Sequence, residues 1–285
     1  MSRSAINTMN IRRKKKIKGF SVAAFRYLVV IAIAVICAGP FLWLVSASFK
    51  VSENIYTLNL LPKAPSFGNY EQVFSLLNIG KMLFNSLIIT VGGIVLDVIL
   101  GSLCAYPLAK LDFFGRKTMN TVLIATMIIP AAAGLVVNYI TISKMGLNDN
   151  FWGVILPNSV TVFNIIFLKT AYEGISTDLI EASRIDGAGE LTIWWKIMLP
   201  QIIPAVATVV IMDFINKWNN FLWPLIVLNV DKYPVAAGLK YLSGQFTYKF
   251  GNVAAGTVVS VVPIIIVFLF CQKYYVNTTV GAVKG

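Results

Sequence analysis

The sequence predicts an all-α polytopic membrane protein with six transmembrane helices. Composition is the first reason: of 285 residues, 57% are hydrophobic and 13% charged, and the mean hydropathy is +0.76. Soluble domains are roughly 45–50% apolar and about 25% charged, so this chain needs lipid to cover it. The second reason is that apolar runs of about 20 residues, the length that crosses a bilayer as helix, recur along the chain. The third is that lysine and arginine concentrate in alternate connections between those runs. Aromatic residues make up 12%, beside 11 prolines and 20 glycines, which argues against a disordered or fibrous chain.

The expected spans cover about 24–47, 83–107, 119–142, 153–170, 201–230 and 253–272. Residues 1–23 form a basic cytoplasmic arm containing Arg12, Arg13, Lys14, Lys15, Lys16 and Lys18, and 24–285 form one six-span domain. A cleaved signal peptide ending near Ala47 is the other reading of the first run. The apolar stretch from Tyr27 to Val45 exceeds a typical signal core, which favours a retained anchor. Because the arm directly precedes a span, it reads as an anchor to anionic lipid headgroups rather than a nucleic-acid patch.

Sixteen of the 24 basic residues fall on the side that holds the arm, Lys110, Arg116, Lys117, Lys169, Arg184, Lys196, Lys273 and Lys284. Both termini are therefore expected in the cytoplasm of a prokaryotic cell, with the plasma or inner membrane crossed several times. Connections near 48–82, 143–152 and 231–252 then lie outside.

One cytoplasmic connection, about 169–200, is longer than a linker requires and carries Glu173, Asp178, Glu181, Asp186 and Glu190. Asp178 followed by Glu181 resembles a capping box opening a helix through Leu179, Ile180, Ala182 and Ile185. Gly187 stops that helix, and a second runs from Gly189 past Trp194 and Trp195 to Leu199, where Pro200 closes the loop. Taken alone, the same pattern would also suit an interfacial amphipathic helix with tryptophans at the headgroups.

Glu181-Ala182-Ser183, then Asp186-Gly187, then Ile197-Met198-Leu199-Pro200 resembles the signature cytoplasmic loop of binding-protein-dependent ABC importer permeases. Ser183 departs from the pattern, standing where a second alanine is usual. Asn85-Ser86-Leu87, Ala105 to Lys110 and Phe114 to Lys117 are similar to the second span and first cytoplasmic loop of the carbohydrate-uptake branch. Trp218 to Pro224 resembles that branch's fifth-span motif, with Asn220 in place of an acid. Gln272 to Val276 and Gly281 to Gly285 resemble its C-terminus, and Phe49-Lys50, Pro62 and Asn69-Tyr70 its first external loop. This is the branch of the smaller permease subunit of maltose transporters.

The resemblance implies the type I ABC importer permease fold and ATP-driven import of a sugar or oligosaccharide. It implies as partners a sister permease, two cytoplasmic ATPase subunits and an extracytoplasmic sugar-binding protein. ATP and Mg would be held by the ATPases, and no cofactor by this chain. Glu181, Ala182, Ser183, Asp186, Gly187, Ile197, Leu199 and Pro200 would couple to the ATPases. The tail Gly281, Ala282, Val283, Lys284 and Gly285 would contact them too. Gln245, Tyr248 and Asn252 would meet the binding protein, and Trp218, Asn219, Asn220 and Phe221 would lie on the substrate pathway. For the aromatic members of that group, and for Trp223 and Tyr139, packing or interfacial anchoring is the plainer role.

The residues agree with a transport subunit. With no histidine, a zinc site or a Ser-His or Cys-His pair cannot be built from this chain alone. No Gly-x-x-x-x-Gly-Lys-Ser/Thr loop is present to cradle a nucleotide. Cys37, Cys104 and Cys271 each sit in an apolar run and read as small core residues, not disulfide partners. Asp97, Asp213 and Lys217 are ionisable groups inside apolar runs. Asp213 and Lys217, four apart on a helix, can neutralise each other, whereas Asp97 has no evident partner. A proton-coupled secondary transporter using Asp97 or Asp213 is the alternative function, and an intramembrane enzyme the more distant one.

Overall fold

A computed structural model describes residues 3–51, 59, 61–244 and 249–282, with side chains described from Phe25 to Cys271 except Ala131. All regular structure among the described residues is helical. Helix α1, Arg3–Ser48, joins the basic arm to the first span without a break. Short α2, Gly68–Leu76, precedes α3, Ile79–Lys110, which is opened by Asn78 accepting from Lys81 N–H and closed by Lys110 in its last turn. The chain closes with α14, Phe250–Ala282.

Three unbroken helical stretches, Phe25–Ser48, Ile79–Lys110 and Phe250–Cys271, are long and apolar enough to cross a membrane. Two further helix pairs are long and apolar enough only when taken together, and both are bent. Helix α6, Phe151–Ile155, with a 3₁₀ turn to Asn158, meets α7, Val162–Glu173, at 50°. The stretch Glu190–Gln201 meets α11, Ile203–Trp218, at 80°. The expected span at 119–142 is divided into α4, Arg116–Thr126, and α5, Leu135–Lys144. Pro130 separates them, entering a 3₁₀ turn over Ala131–Gly134. The expected run 201–230 likewise ends as α11 at Trp218, and α12, Leu222–Val227, continues separately.

Helix α3 is the axis of the bundle, packed against α7 and α11, while α14 packs on α11, α1 and α2. Most of the α1 span is exposed, burying only Ser46, Ala47 and Ser48 at its end, so its apolar side chains face outward, as lipid contact requires. Cys37 and Cys104 are exposed on such outer faces and Cys271 is half-buried, so the expectation that they are core residues is corrected. Long apolar runs look alike on either face, which is why the sequence could not separate core from lipid.

Because lipid tails are as apolar as leucine, hydrogen bonds between elements do much of the specifying. Buried Asn69 donates to Ser48 O at 3.0 Å and Lys50 O at 2.9 Å, and Tyr70 OH meets Ser48 Oγ at 2.8 Å. That ties α2 to the end of α1 and gives Asn69-Tyr70 a structural use. Asn85 and Ser86 fasten the connection before α13, Val235–Ser243, through Tyr233 O at 3.3 Å and Val235 N–H at 2.8 Å. In the same region Lys232 Nζ lies 2.8 Å from Asp149 Oδ2. That bond, with Asn229 N–H donating to Oδ1, holds the Asp149 carboxyl below the usual carboxylate range.

Candidate functional sites: a docking loop and an intramembrane polar cavity

The acidic connection folds onto the ends of α3 and α7. Helix α8, Asp178–Ile185, lies in it, followed by a turn and α9, Glu190–Thr192. Thr177, not Asp178, is the N-cap, and its side chain makes no capping bond, so the capping box is not formed. Instead Ser176 Oγ accepts from Asp178 N–H at 3.2 Å, and Glu181 N–H donates to Thr177 O at 3.1 Å. Glu181 therefore stays free of the cap and exposed.

The stop at Gly187 has a complete hydrogen-bond basis. Gly187 has φ of +81°, Ala188 N–H reaches Ser183 O at 3.0 Å, and Gly187 N–H reaches Arg184 O at 3.0 Å. These are the two bonds of a Schellman motif with Gly187 in the left-handed position. A Cβ there would meet open space, so glycine is required by backbone conformation rather than crowding. Ser183 is buried, with its hydroxyl on Leu179 O at 2.6 Å. A serine thus fits where its hydroxyl can bond back into the helix.

Beyond the turn the second helix differs from expectation. Residues Ile193–Met198 are π-helical, and α10, Leu199–Gln201, follows with Pro200 inside it. Pro200 and Pro204 both lack the N–H that an α-helix needs, so the chain bends here. Ile197 and Leu199 are half-buried and Pro200 exposed. Ile180, Ile193, Trp194 and Met198 pack with Ala105, Leu108, Leu168 and Tyr172.

Polar links run alongside this packing. Tyr106 of α3 donates to Glu190 Oε2 at 2.7 Å, and Arg184 Nε donates to Glu190 Oε1 at 2.8 Å. Trp194 Nε1 donates to Ser102 Oγ at 3.0 Å, which is 2.6 Å from Tyr172 OH. Lys110 reaches the carbonyls of Glu173 and Ile175 and so caps the end of α7. The loop is thus fastened to two spans, while Ala182, Asp186 and Gly187 are exposed and Ile185 and Leu191 are 86% and 70% exposed. Apolar side chains displayed beside Glu181 and Asp186 are what a protein-docking surface presents.

The second site lies within the bundle. Lys217 Nζ sits 3.0 Å from Asp213 Oδ2, four residues earlier on α11, and 3.3 Å from Asp97 Oδ2 on α3. Asn164 Nδ2 donates to Asp213 Oδ1 and Asp97 Oδ2, both at 3.0 Å. Asp97 also accepts Thr161 N–H at 3.1 Å and Thr161 Oγ1 at 2.8 Å. The break between α6 and α7 explains the last two bonds: it opens a helix N-terminus, whose donors attract a carboxylate. Asp97 therefore has the partner its sequence context did not reveal. A Cβ on Gly93 of α3 would lie 2.7 Å from Lys217 Cε, so glycine there gives the lysine its path between the helices.

Next to this cluster is a cavity of about 630 Å³ lined by Asn158, Thr161, Asn164, Asp213, Asn216, Lys217 and Asn220, with Met127 and Ile129 among its apolar members. Asp213, Asn216 and Lys217 follow an i, i+3, i+4 pattern, a polar stripe on the otherwise apolar α11, and Asn220 continues the spacing just past the helix end. That stripe was the available signal for Asn216, and Thr161 with Asn164, three apart, was the signal on α7.

Of the four residues expected on a substrate pathway, Asn220 lines this cavity. Trp218 does not: it is 2% exposed, stacks on Phe214 at 5.2 Å and donates to Ser260 O at 3.0 Å. Asn219 bonds back to Ile215 O at 2.8 Å and faces an apolar groove shared by α1, α11 and α14. Phe221 is 39% exposed, with Lys240 Nζ 5.9 Å from its ring centre. Trp223 is buried, donating to Gly153 O at 3.1 Å, while Tyr139 is exposed. Asn252 is buried in the first turn of α14 and donates to Gln72 Oε1 at 3.3 Å. Gln245 and Tyr248 lie outside the described residues, as do Val283, Lys284 and Gly285, and the backbone of Gly281 and Ala282 ends α14.

Comparison with known proteins agrees with this arrangement. Residues 97–278 match the family described as binding-protein-dependent transport system inner membrane component. The chain is 34% identical over 253 residues to the arabinooligosaccharides transport system permease protein AraQ of Bacillus subtilis, covering 86% of this chain and 90% of that protein. It is 30% identical to the polygalacturonan/rhamnogalacturonan transport system permease protein YtcP of the same organism, covering 93% and 98%. In structure it is similar to a chain of a bacterial ABC transporter involved in import of the acidic polysaccharide alginate. The TM-score is 0.78 and the identity 28%, over 92% of this chain and 98% of that one. This helical membrane chain, matched over most of its length by such permeases, belongs to the family of binding-protein-dependent transport system inner membrane components, the permease subunits of ABC importers.

Proposed function

We propose that this chain is the permease subunit of an ATP-driven importer for a sugar or oligosaccharide, carrying no ATPase site of its own. It works beside a sister permease, two cytoplasmic ATPase subunits and an extracytoplasmic sugar-binding protein. The observation that carries the reading is the exposed loop turn at Gly187, held by a Schellman motif and backed by polar links to α3 and α7. Similarity to sugar and oligosaccharide permeases over most of the chain supports the carbohydrate substrate class.

Physically, the loop is the lever. Movement of an ATPase cleft around Ile185 and Leu191 would shift α8, and the links from Glu190 to Tyr106 and from Trp194 to Ser102 would pass that shift to α3. ATP and Mg reside in the partner subunits. Both termini face the cytoplasm with the loop, a reading that the distribution of basic residues supports. The tail from Gly281 and the segment with Gln245 and Tyr248 serve the ATPase and binding-protein contacts respectively, whereas Asn252, buried and bonded to Gln72, is not available for the latter. Asp97 and Asp213 already share Lys217, so neither is a free carboxylate for a proton-coupled carrier.

Gly187→Val tests the lever. Valine is strongly disfavoured at positive φ, by about 1–2 kcal/mol, and the strain falls on an exposed turn outside the spans. Membrane levels are expected near wild type, with substrate-stimulated ATP hydrolysis and uptake both lost in the reconstituted assembly. Normal insertion together with normal transport would contradict the coupling role.

A further inference from the structure

We infer that the cavity beside Lys217 is a subsite for an uncharged saccharide and that it rejects acidic sugars. The inference rests on the importer reading above and adds where on this chain the substrate is met and of what charge. Two independent features carry it. The cavity, about 630 Å³, presents three amides, Asn158 at the end of the 3₁₀ turn, Asn216 on α11 and Asn220 just past the end of that helix. Amides offer both donors and acceptors, which suits the paired donor and acceptor character of sugar hydroxyls. Asn158 and Asn216 are exposed to this space, and Asn220 uses Oδ1 for Trp223 N–H at 3.4 Å, leaving its NH₂ for a ligand.

The second feature is the charge behind that surface. Among the described residues lining the cavity, Lys217 is the single basic one, and it is held by two carboxylates, Asp213 and the fully buried Asp97. With all three ionised, the cluster carries one net negative charge. A uronate carboxylate entering here would meet a negative field in a low-dielectric setting and find no unpaired cation. A neutral polyol meets only hydrogen-bonding groups. Relatives of similar overall likeness are named for arabinooligosaccharides on one side and for the acidic polysaccharide alginate on the other, so family membership leaves this choice open.

The test uses the full assembly in proteoliposomes, offered neutral oligosaccharides (arabinotriose, raffinose) and acidic ones (trigalacturonate, an alginate trisaccharide). Asn216→Leu and Asn220→Leu are each expected to lower uptake of the carried neutral sugar about tenfold, the loss of one to two hydrogen bonds. Co-purification with the ATPase subunits should be retained. In a background with Cys37, Cys104 and Cys271 replaced by serine, Asn220→Cys should react faster with a cationic thiosulfonate than with an anionic one. The ratio should exceed that of a free thiol by about threefold or more, and the carried neutral sugar should slow the reaction. Unchanged uptake in both leucine variants would overturn the subsite while leaving the importer reading intact. So would a preference of the cysteine for the anionic reagent, or carriage of the acidic sugars, alone or beside the neutral ones. If no saccharide of either class is carried, the importer reading fails and this inference with it.

Discussion

The polar network around Lys217 and the one around Glu190 are both tied to α3, yet they differ in almost every physical respect. Around Lys217 the groups are buried, with side-chain exposures of 12% for the lysine and 0% and 5% for Asp97 and Asp213. Around Glu190 the ion pair with Arg184 is nearly half exposed on both sides, at 47% and 44%. In the first, losing the shared lysine would leave two carboxylates buried without a cation, so the network fixes structure. In the second, the ion pair is open to water, so losing it costs little stability, although Tyr106 behind it is buried. The comparison teaches that a polar contact's role follows from its surroundings, since the bond lengths in the two places are similar.

The largest effect expected from breaking this contrast is that of Lys217→Met. Two carboxylates would then be buried without a cation, at a cost of about 3–5 kcal/mol, and purified protein should melt markedly lower in detergent. Adding Asp97→Asn and Asp213→Asn to the same chain should recover much of that loss, because the surplus charge goes with the cation. A melting temperature for Lys217→Met equal to wild type would show that the cluster is not what holds α3 to α11.

A smaller effect is expected at the other network. Glu190→Gln removes the ionic part of the link while keeping its shape, so stability should fall by no more than about 1 kcal/mol. The number of ATP molecules hydrolysed per substrate moved should nonetheless rise, since the link from loop to α3 is weakened. A large drop in melting temperature with unchanged coupling would reverse the roles assigned to the two regions.

Much of this was legible in the sequence. The fold class followed from composition and run length, and Gly187 was readable as a helix stop because a glycine after a short amphipathic helix has few other uses. The pairing of Asp213 with Lys217 was readable because both lie on one helix face. Asp97 was not, since its partners Thr161, Asn164 and Lys217 are 64, 67 and 120 residues away. Nor were the breaks in the spans: apolar runs at 153–170 and 201–230 are continuous in hydropathy, and proline shifts helix direction without altering it. Trp218 and Trp223 read first as packing or anchoring residues and second as stacking platforms, and their indole N–H groups on Ser260 O and Gly153 O place them as anchors.

The central claim is that the loop turning at Gly187 docks on an ATPase, and proximity at Ile185 tests it most directly. Ile185 is 86% exposed at the end of α8 and makes no part of the bundle's core, so replacing it with a photoreactive amino acid leaves the fold undisturbed. In native membranes, illumination is expected to join this chain to its ATPase subunit in a single defined product, with a yield that changes when ATP is added. Crosslinking to lipid or to this chain itself, with no ATPase product in the presence of the assembled complex, would contradict the account.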